Sequence, residues 1–180
     1  MGEKIYIFDT SALIKGMDVS VLQEYDCYTT PGVLSEIKNN LSKQKLETAI
    51  LSGNLKILSP DPDAIKEVKF IAKSSGDLQF LSTTDIGVIA LALTLQTKLF
   101  QQDEIPFAEV PIEVVTDDYS MQNVLSKFSI SANSFMQKGI NQFIQWQLYC
   151  PQCKTIFPSS DSSFCPKCEV TLKRRPIDKK

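Results

Sequence analysis

Four of the five cysteines in this 180-residue chain form two turns of one kind, Cys150-Pro-Gln-Cys153 and Cys165-Pro-Lys-Cys168. Each Cys-Pro-x-Cys turn aims two sulfurs at one point. Two such turns close a tetrahedral thiolate site with no position left for water, which is what structural zinc requires. Four thiolates also suit iron, and the spacing does not choose between the metals. The intervening KTIFPSSDSSF has the length of a short hairpin. A module this small buries little core, so a bound metal would supply most of its folding energy. The redox reading of CxxC needs a thioredoxin-like βαβ context, which these turns lack. The expectation is a zinc ribbon over residues 141–172. Cys27 stands apart and reads as a small buried hydrophobe.

Histidine is absent from the chain. That excludes imidazole acid–base and triad chemistry, and any histidine metal ligand. Charge is divided unevenly. Residues 1–149 hold 12 Lys against 18 Asp or Glu, a net of −6, and residues 150–180 hold 7 Lys or Arg against 3 acids, a net of +4. A basic end suits contact with a polyanion, and it also suits plain solubility. Lys154, Lys167, Lys173, Arg174 and Arg175 are the candidate RNA-binding cations, the last three opening a basic tail at 173–180. No apolar run reaches the roughly 18 residues of a membrane span. The chain opens at once on a strand-like run without a basic leader, so a cytoplasmic location is expected, with no membrane partner.

Along residues 1–140 the apolar pattern alternates between strands and helices. Strand-like runs fall at 4–8, 25–30, 55–59, 112–118 and about 129–135. Helical runs fall at 12–24 (broken near Gly16), 32–40, 43–51, 61–74, 81–97 and 119–128. Thr30 before Pro31 reads as a helix N-cap, and Gly53 and Gly76 read as stops. The run from Ile86 to Leu95 is apolar on nearly every side, which marks a buried helix. Strands alternating with helices predict a parallel α/β sheet.

Acids sit where strands end or helices begin: Asp9, Glu36, Asp85, and the pair Asp117-Asp118. Each has an ordinary explanation as a cap or a solvated charge. Ser82-Thr83-Thr84-Asp85, for example, fits the hydroxyl-x-x-acid capping pattern. As a set they ask for more. All strands of a parallel sheet leave at one edge, and ligands bind beyond that edge. Like charges gathered there call for a hard divalent cation, and oxygen-only ligands favour Mg²⁺ or Mn²⁺.

FDTSALIKG, PGVLSEIK, LSTTDIGVIALAL and VVTDDYSMQNVL resemble the four acidic motifs of PIN-domain nucleases. TDDYSMQN followed by a four-cysteine ribbon resembles the Nin-one-binding protein family more narrowly, over nearly the whole chain. The resemblance implies a PIN-like five-stranded parallel sheet flanked by helices over 1–140. It implies Asp9, Glu36, Asp85 and Asp118 as catalytic, metal-binding acids, with Asp117 as the alternative to Asp118. Ser11 and Thr116 are implied as polar support, and Asp77 as a secondary candidate. The implied activity is a divalent-metal-dependent endoribonuclease that matures the 3′ end of precursor small-subunit rRNA. Its implied partners are that RNA and the pre-ribosomal small subunit. Two other readings remain: a toxin-type PIN ribonuclease acting on tRNA or mRNA, and a non-catalytic RNA-binding assembly factor. One departure from the family pattern is Phe100–Pro111, a longer link than the family carries there, read as a surface loop.

Overall fold

The structure, a computed structural model, describes residues 4–16, 19–101, 112–133, 144–157 and 163–177. The β-branched and aromatic run of β1 (Ile5–Phe8) leads directly into α1 (Thr10–Gly16) and α2 (Val19–Glu24). Then come β2 (Asp26–Thr29), α3 (Pro31–Glu36), α4 (Asn40–Leu51) and the two-residue β3 (Lys56–Ile57). Next are α5 (Pro62–Ser75), α6 (Thr83–Gln101), β4 (Ile112–Val115), α7 (Tyr119–Lys127) and β5 (Ser131–Asn133). The five strands form one parallel sheet in the order β3-β2-β1-β4-β5. Helices flank it, as the alternation predicted.

The order matters for function. The chain builds outward from β1 through β2 to β3, then returns to the other side of β1 for β4 and β5. The sheet therefore has its switch point between β1 and β4, where the carboxyl ends of two strands open onto a crevice. Phe8 and Val115 are in register there, and the next amide, Asp9 N, donates to Val115 O at 3.3 Å.

Several local expectations shift by a turn. Thr30 caps α3 as expected, its Oγ1 accepting from Val33 N, but α3 stops at Glu36 rather than running toward residue 40. Ile37 turns extended and buries its side chain, and Asn39 starts α4 with an oxygen that accepts from Leu41 N and Ser42 N. An Asn in a cap cannot also sit mid-helix, so the two helices are separate. Gly76 ends α5 at φ +81°, a conformation cheap only for glycine, and a Cβ there would meet Trp146 O at 2.9 Å. The apolar run lies in α6, with Ile86 and Val88 through Leu93 buried. It packs beneath the sheet and against α5 and α7, which leaves it no solvent side to make polar. The expected loop falls mostly at 102–111, outside the described residues.

Residues 144–177 form a second, three-stranded antiparallel sheet in the order β7-β6-β8, from β6 (Trp146–Tyr149), β7 (Ile156–Phe157) and β8 (Lys173–Pro176). The basic tail expected from residue 173 is thus a strand at its start, because the backbone of 173–176 pairs with β6. Among the described residues, its buried cluster is Leu148, Leu172, Cys150 and Cys165, with Phe157, Cys168 and Val170 packed beside them.

Candidate functional site

Asp9 is 5% exposed and heavily bonded. Its Oδ1 accepts from Ala12 N (2.8 Å) and Ser11 Oγ (2.9 Å), and its Oδ2 accepts from Thr116 Oγ1 (2.6 Å). Burial pushes its carboxyl above the ordinary range, the bonds from Thr116, Ala12 and Ser11 oppose that, and the nearby Asp85 charge adds to the rise. A buried anion with a like charge near it is the electrostatic setting in which a cation is most stabilising.

Asp118 and Glu36 are tied to this turn through single hydroxyls, and Asp85 is near enough for its charge to act on it. Thr116 follows β4 directly, and its Oγ1 also accepts from Asp118 N (3.1 Å). One hydroxyl therefore ties the β1 acid to the β4 acid. Asp118 caps α7, with Oδ1 accepting from Ser120 N (2.6 Å) and Met121 N (3.2 Å). Thr10, the neighbour of Asp9, donates from Oγ1 to Glu36 Oε2 (2.6 Å) at the end of α3. Asp85 forms the capping box read from its sequence: Ser82 N donates to its Oδ2 (2.7 Å), and Asp85 N donates to Ser82 Oγ (3.1 Å). Gly32 lets α3 approach the start of α6 closely, since a Cβ there would lie 3.3 Å from Thr84 Oγ1. Asp117 turns aside to the rim, where Lys15 Nζ lies 2.5 Å from its Oδ2.

Asp9, Asp85 and Asp118 are therefore caps and members of one edge at once. Convergence stops short of a closed ligand shell. Among the described residues, only the four cysteines offer ligand atoms all within 4.8 Å of one another. The donor set at the sheet edge, carboxylate and hydroxyl oxygen alone, has the chemistry of a hard-cation site, with the acids spaced around a crevice. A cleft of about 640 Å³ elsewhere is lined by Leu13, Ile14, Leu22, Leu41 and Leu46 and contains none of these acids.

The cysteines meet as their spacing required, and their two turns repeat each other. Cys150 N donates to Thr155 O and Lys154 N to Cys150 O, while Cys165 N donates to Val170 O and Glu169 N to Cys165 O. Lys154 and Glu169, at matching positions, both take left-handed φ, at 61° and 55°. Cys153 Sγ lies 3.7 Å from Cys165 Sγ. Its thiol is pulled down to about 6, first by the Thr155 hydroxyl, while burial pushes the Cys168 thiol up to about 12. Four thiols in this arrangement can bind a metal.

Two of the sequence candidates pair with each other. Asp77, named as a secondary site acid, is fully buried beside the first turn of α7. It accepts from Ser75 Oγ (2.7 Å), Asn123 Nδ2 (2.6 Å) and Arg174 Nη1 (3.0 Å), which makes it a structural anion. Arg174, named as an RNA-binding cation, is the partner of Asp77 and is half-buried. Lys154, Lys167, Lys173 and Arg175 remain exposed. Thr10, Lys15, Ser120 and Asn123 were not singled out from sequence. Their partners lie between 21 and 102 residues away or are reached through another side chain, so no local pattern marks them.

With this geometry in view, a family profile described as "PIN domain of ribonuclease" matches residues 6–95. The chain is 35% identical over 175 residues to a Methanocaldococcus jannaschii protein named "Endoribonuclease Nob1", covering 97% of this chain and 79% of that protein. It is 33% identical over 170 residues to a Thermoplasma acidophilum protein named "Ribonuclease VapC1", covering 94% and 77%. It is 38% identical over 76 residues to the Saccharomyces cerevisiae "20S-pre-rRNA D-site endonuclease NOB1", covering 42% of this chain and 17% of that protein.

Proposed function

The chain belongs to the Nob1 family of PIN-domain endoribonucleases, and from that premise we propose that it hydrolyses precursor small-subunit rRNA at an exposed single strand to mature its 3′ end. The observation that carries the reading is the Asp9–Thr116–Asp118 chain of bonds across the switch point of the sheet. Asp9, Glu36, Asp85 and Asp118 are the acids that would hold one or more Mg²⁺ or Mn²⁺ ions, and Cys150, Cys153, Cys165 and Cys168 would hold zinc. A divalent ion at the acids supplies an activated water and neutralises charge on the phosphodiester.

The chain's own residues prepare that site. Thr116, Ser11 and the Ala12 amide fix the Asp9 carboxylate so that it does not reorganise during reaction. Asp85 and Asp118 each commit one carboxylate oxygen to a helix start and keep the second as a donor. With no histidine in the chain, protons pass to a carboxylate or to water. The products then carry 5′-phosphate and 3′-hydroxyl ends. The acidic large part repels RNA, so Lys154, Lys167, Lys173 and Arg175 on the second sheet and its turns are the docking cations. An unpaired strand is the natural substrate, because its bases and backbone can be splayed into a crevice. A thiol-held metal and an RNA substrate would both suit a cytoplasmic protein that works on the pre-ribosomal small subunit.

Purified protein incubated with precursor rRNA and Mn²⁺ is expected to produce one new 3′ end, and Asp9→Asn to abolish it while the fold is retained. Turnover by Asp9→Asn at the wild-type rate would remove Asp9 from the site. The likeness to the relative named VapC1 keeps a toxin-type activity as the second reading. Equal or faster cleavage of tRNA or mRNA in the same assay would favour it, and binding without cleavage under any divalent ion would favour a non-catalytic factor.

A further inference from the structure

An ion pair between half-buried Arg174 and fully buried Asp77 joins the second sheet to the first part of the chain, and that pair touches the turn that carries Asp118. Arg174 belongs to β8, paired opposite Leu148 of β6, two residues before Cys150. From there its Nη1 donates to Asp77 Oδ1 and to Ser120 Oγ, both at 3.0 Å. Its guanidinium lies 4.3 Å from the Phe80 ring centre and 4.9 Å from that of Trp146. A planar cation held by two acceptors and two aromatic rings is a built contact rather than a chance one.

What it reaches is the first turn of α7. Ser120 is buried, and its amide donates to Asp118 Oδ1 at 2.6 Å. A second tie holds the same helix. Asn123 donates from Nδ2 to Ile144 O (2.7 Å) and accepts from Ile144 N (2.5 Å), just before β6 begins. The metal-binding module thus grips α7 at positions 120 and 123, one turn from Asp118. The module has so small a core that its strands hold their places only when the four cysteines are gathered.

We propose that Arg174 is a positioning residue, which transmits the folded state of the cysteine module through Ser120 to the Asp118 carboxylate. The module is then part of the cleavage site as well as a docking arm for RNA. This rests on the reading of Asp118 as a site acid. Its role needs no contact with substrate or reacting atoms.

The test uses the full-length, zinc-loaded protein and a single-stranded RNA spanning the precursor 3′ end. Arg174→Gln is expected to lower the cleavage rate at saturating RNA by about 10- to 100-fold, the range for residues that orient a metal ligand. RNA affinity should change by less than about 2-fold. Amide protection at Ser120 and Met121 in hydrogen exchange should fall. Arg174→Lys restores the charge but not the stacked fork, so it should recover the rate only in part. Lys173→Gln, on the same strand, should weaken RNA binding and leave Ser120 protection intact. If Arg174→Gln instead weakens binding like Lys173→Gln and cuts normally at saturation, Arg174 is an RNA contact and the proposal is overturned. Should the single variant unfold, Asp77→Asn with Arg174→Gln removes the buried charge altogether. Wild-type rate and protection in that pair would equally overturn it. If the wild-type protein cuts no RNA at all, the nuclease reading fails, while the exchange arm still decides the coupling.

Discussion

Asp9 carries opposing demands. Its carboxylate is held by Thr116, Ser11 and the Ala12 amide, yet burial raises its pKa above the value of a free aspartate. An acid whose folded pKa lies above its unfolded one binds a proton on folding, so its charge costs stability at neutral pH and that cost fades as pH falls. Without added Mg²⁺ or Mn²⁺, Asp9→Asn is therefore expected to melt higher than wild type at pH 7. Its amide oxygen can keep the bond from Ala12 N, and the gap should narrow toward about pH 4. Thermal unfolding of both proteins across that range checks the sign; a lower melting temperature for the variant at pH 7 would mean that the cap outweighs the buried charge. The sequence placed Asp9 at this strand end, and both roles weighed for it there, cap and site acid, use the same carboxylate. For Asp77 the sequence shows less, because an acid after a helix-ending glycine looks the same whether it faces the crevice or the interior. The partner that neutralises it is 97 residues on.

Among the elements, the three-stranded sheet depends most on something other than packing. Its core is four buried side chains, two of them cysteines. Removing the metal with a chelator is expected to unfold residues 144–177 while the five-stranded sheet persists, read as loss of amide protection at Leu148 and Leu172 with protection at Ile7 and Val114 retained. Cooperative loss of both sheets would show that the Asp77–Arg174 contact carries more of the stability than the small core implies. Helix boundaries were legible where a capping residue is encoded, as at Thr30 and Ser82. They were less legible between α3 and α4, where the break depends on Ile37 finding a buried place. β3 shrank to two residues because it is an edge strand with one neighbour to pair.

For the whole molecule, charge and topology set how RNA would be met. The second sheet and its turns expose Lys154, Lys167, Lys173 and Arg175, while the first 149 residues are net acidic. Each phosphate contact to a single strand contributes about 0.7 to the slope of log affinity against log salt. Lys173→Gln with Arg175→Gln is expected to flatten that slope by about 1.4 and to weaken binding at low salt. An unchanged slope in a titration from low to high salt would move the docking surface elsewhere. The sequence by itself determined what is written locally: which runs are strands or helices, which residues cap them, that four thiols share a site, and that acids stand where parallel strands end. Those follow from periodicity, turn chemistry and ligand spacing, all expressed within a few residues. Only the tertiary structure decided that β4 lies beside β1, so that Thr116 joins Asp9 to Asp118. It alone placed Glu36 against Thr10 and Arg174 against Asp77. Those outcomes depend on which distant side chains come within hydrogen-bond reach once the chain is packed, and no spacing along the sequence encodes that distance.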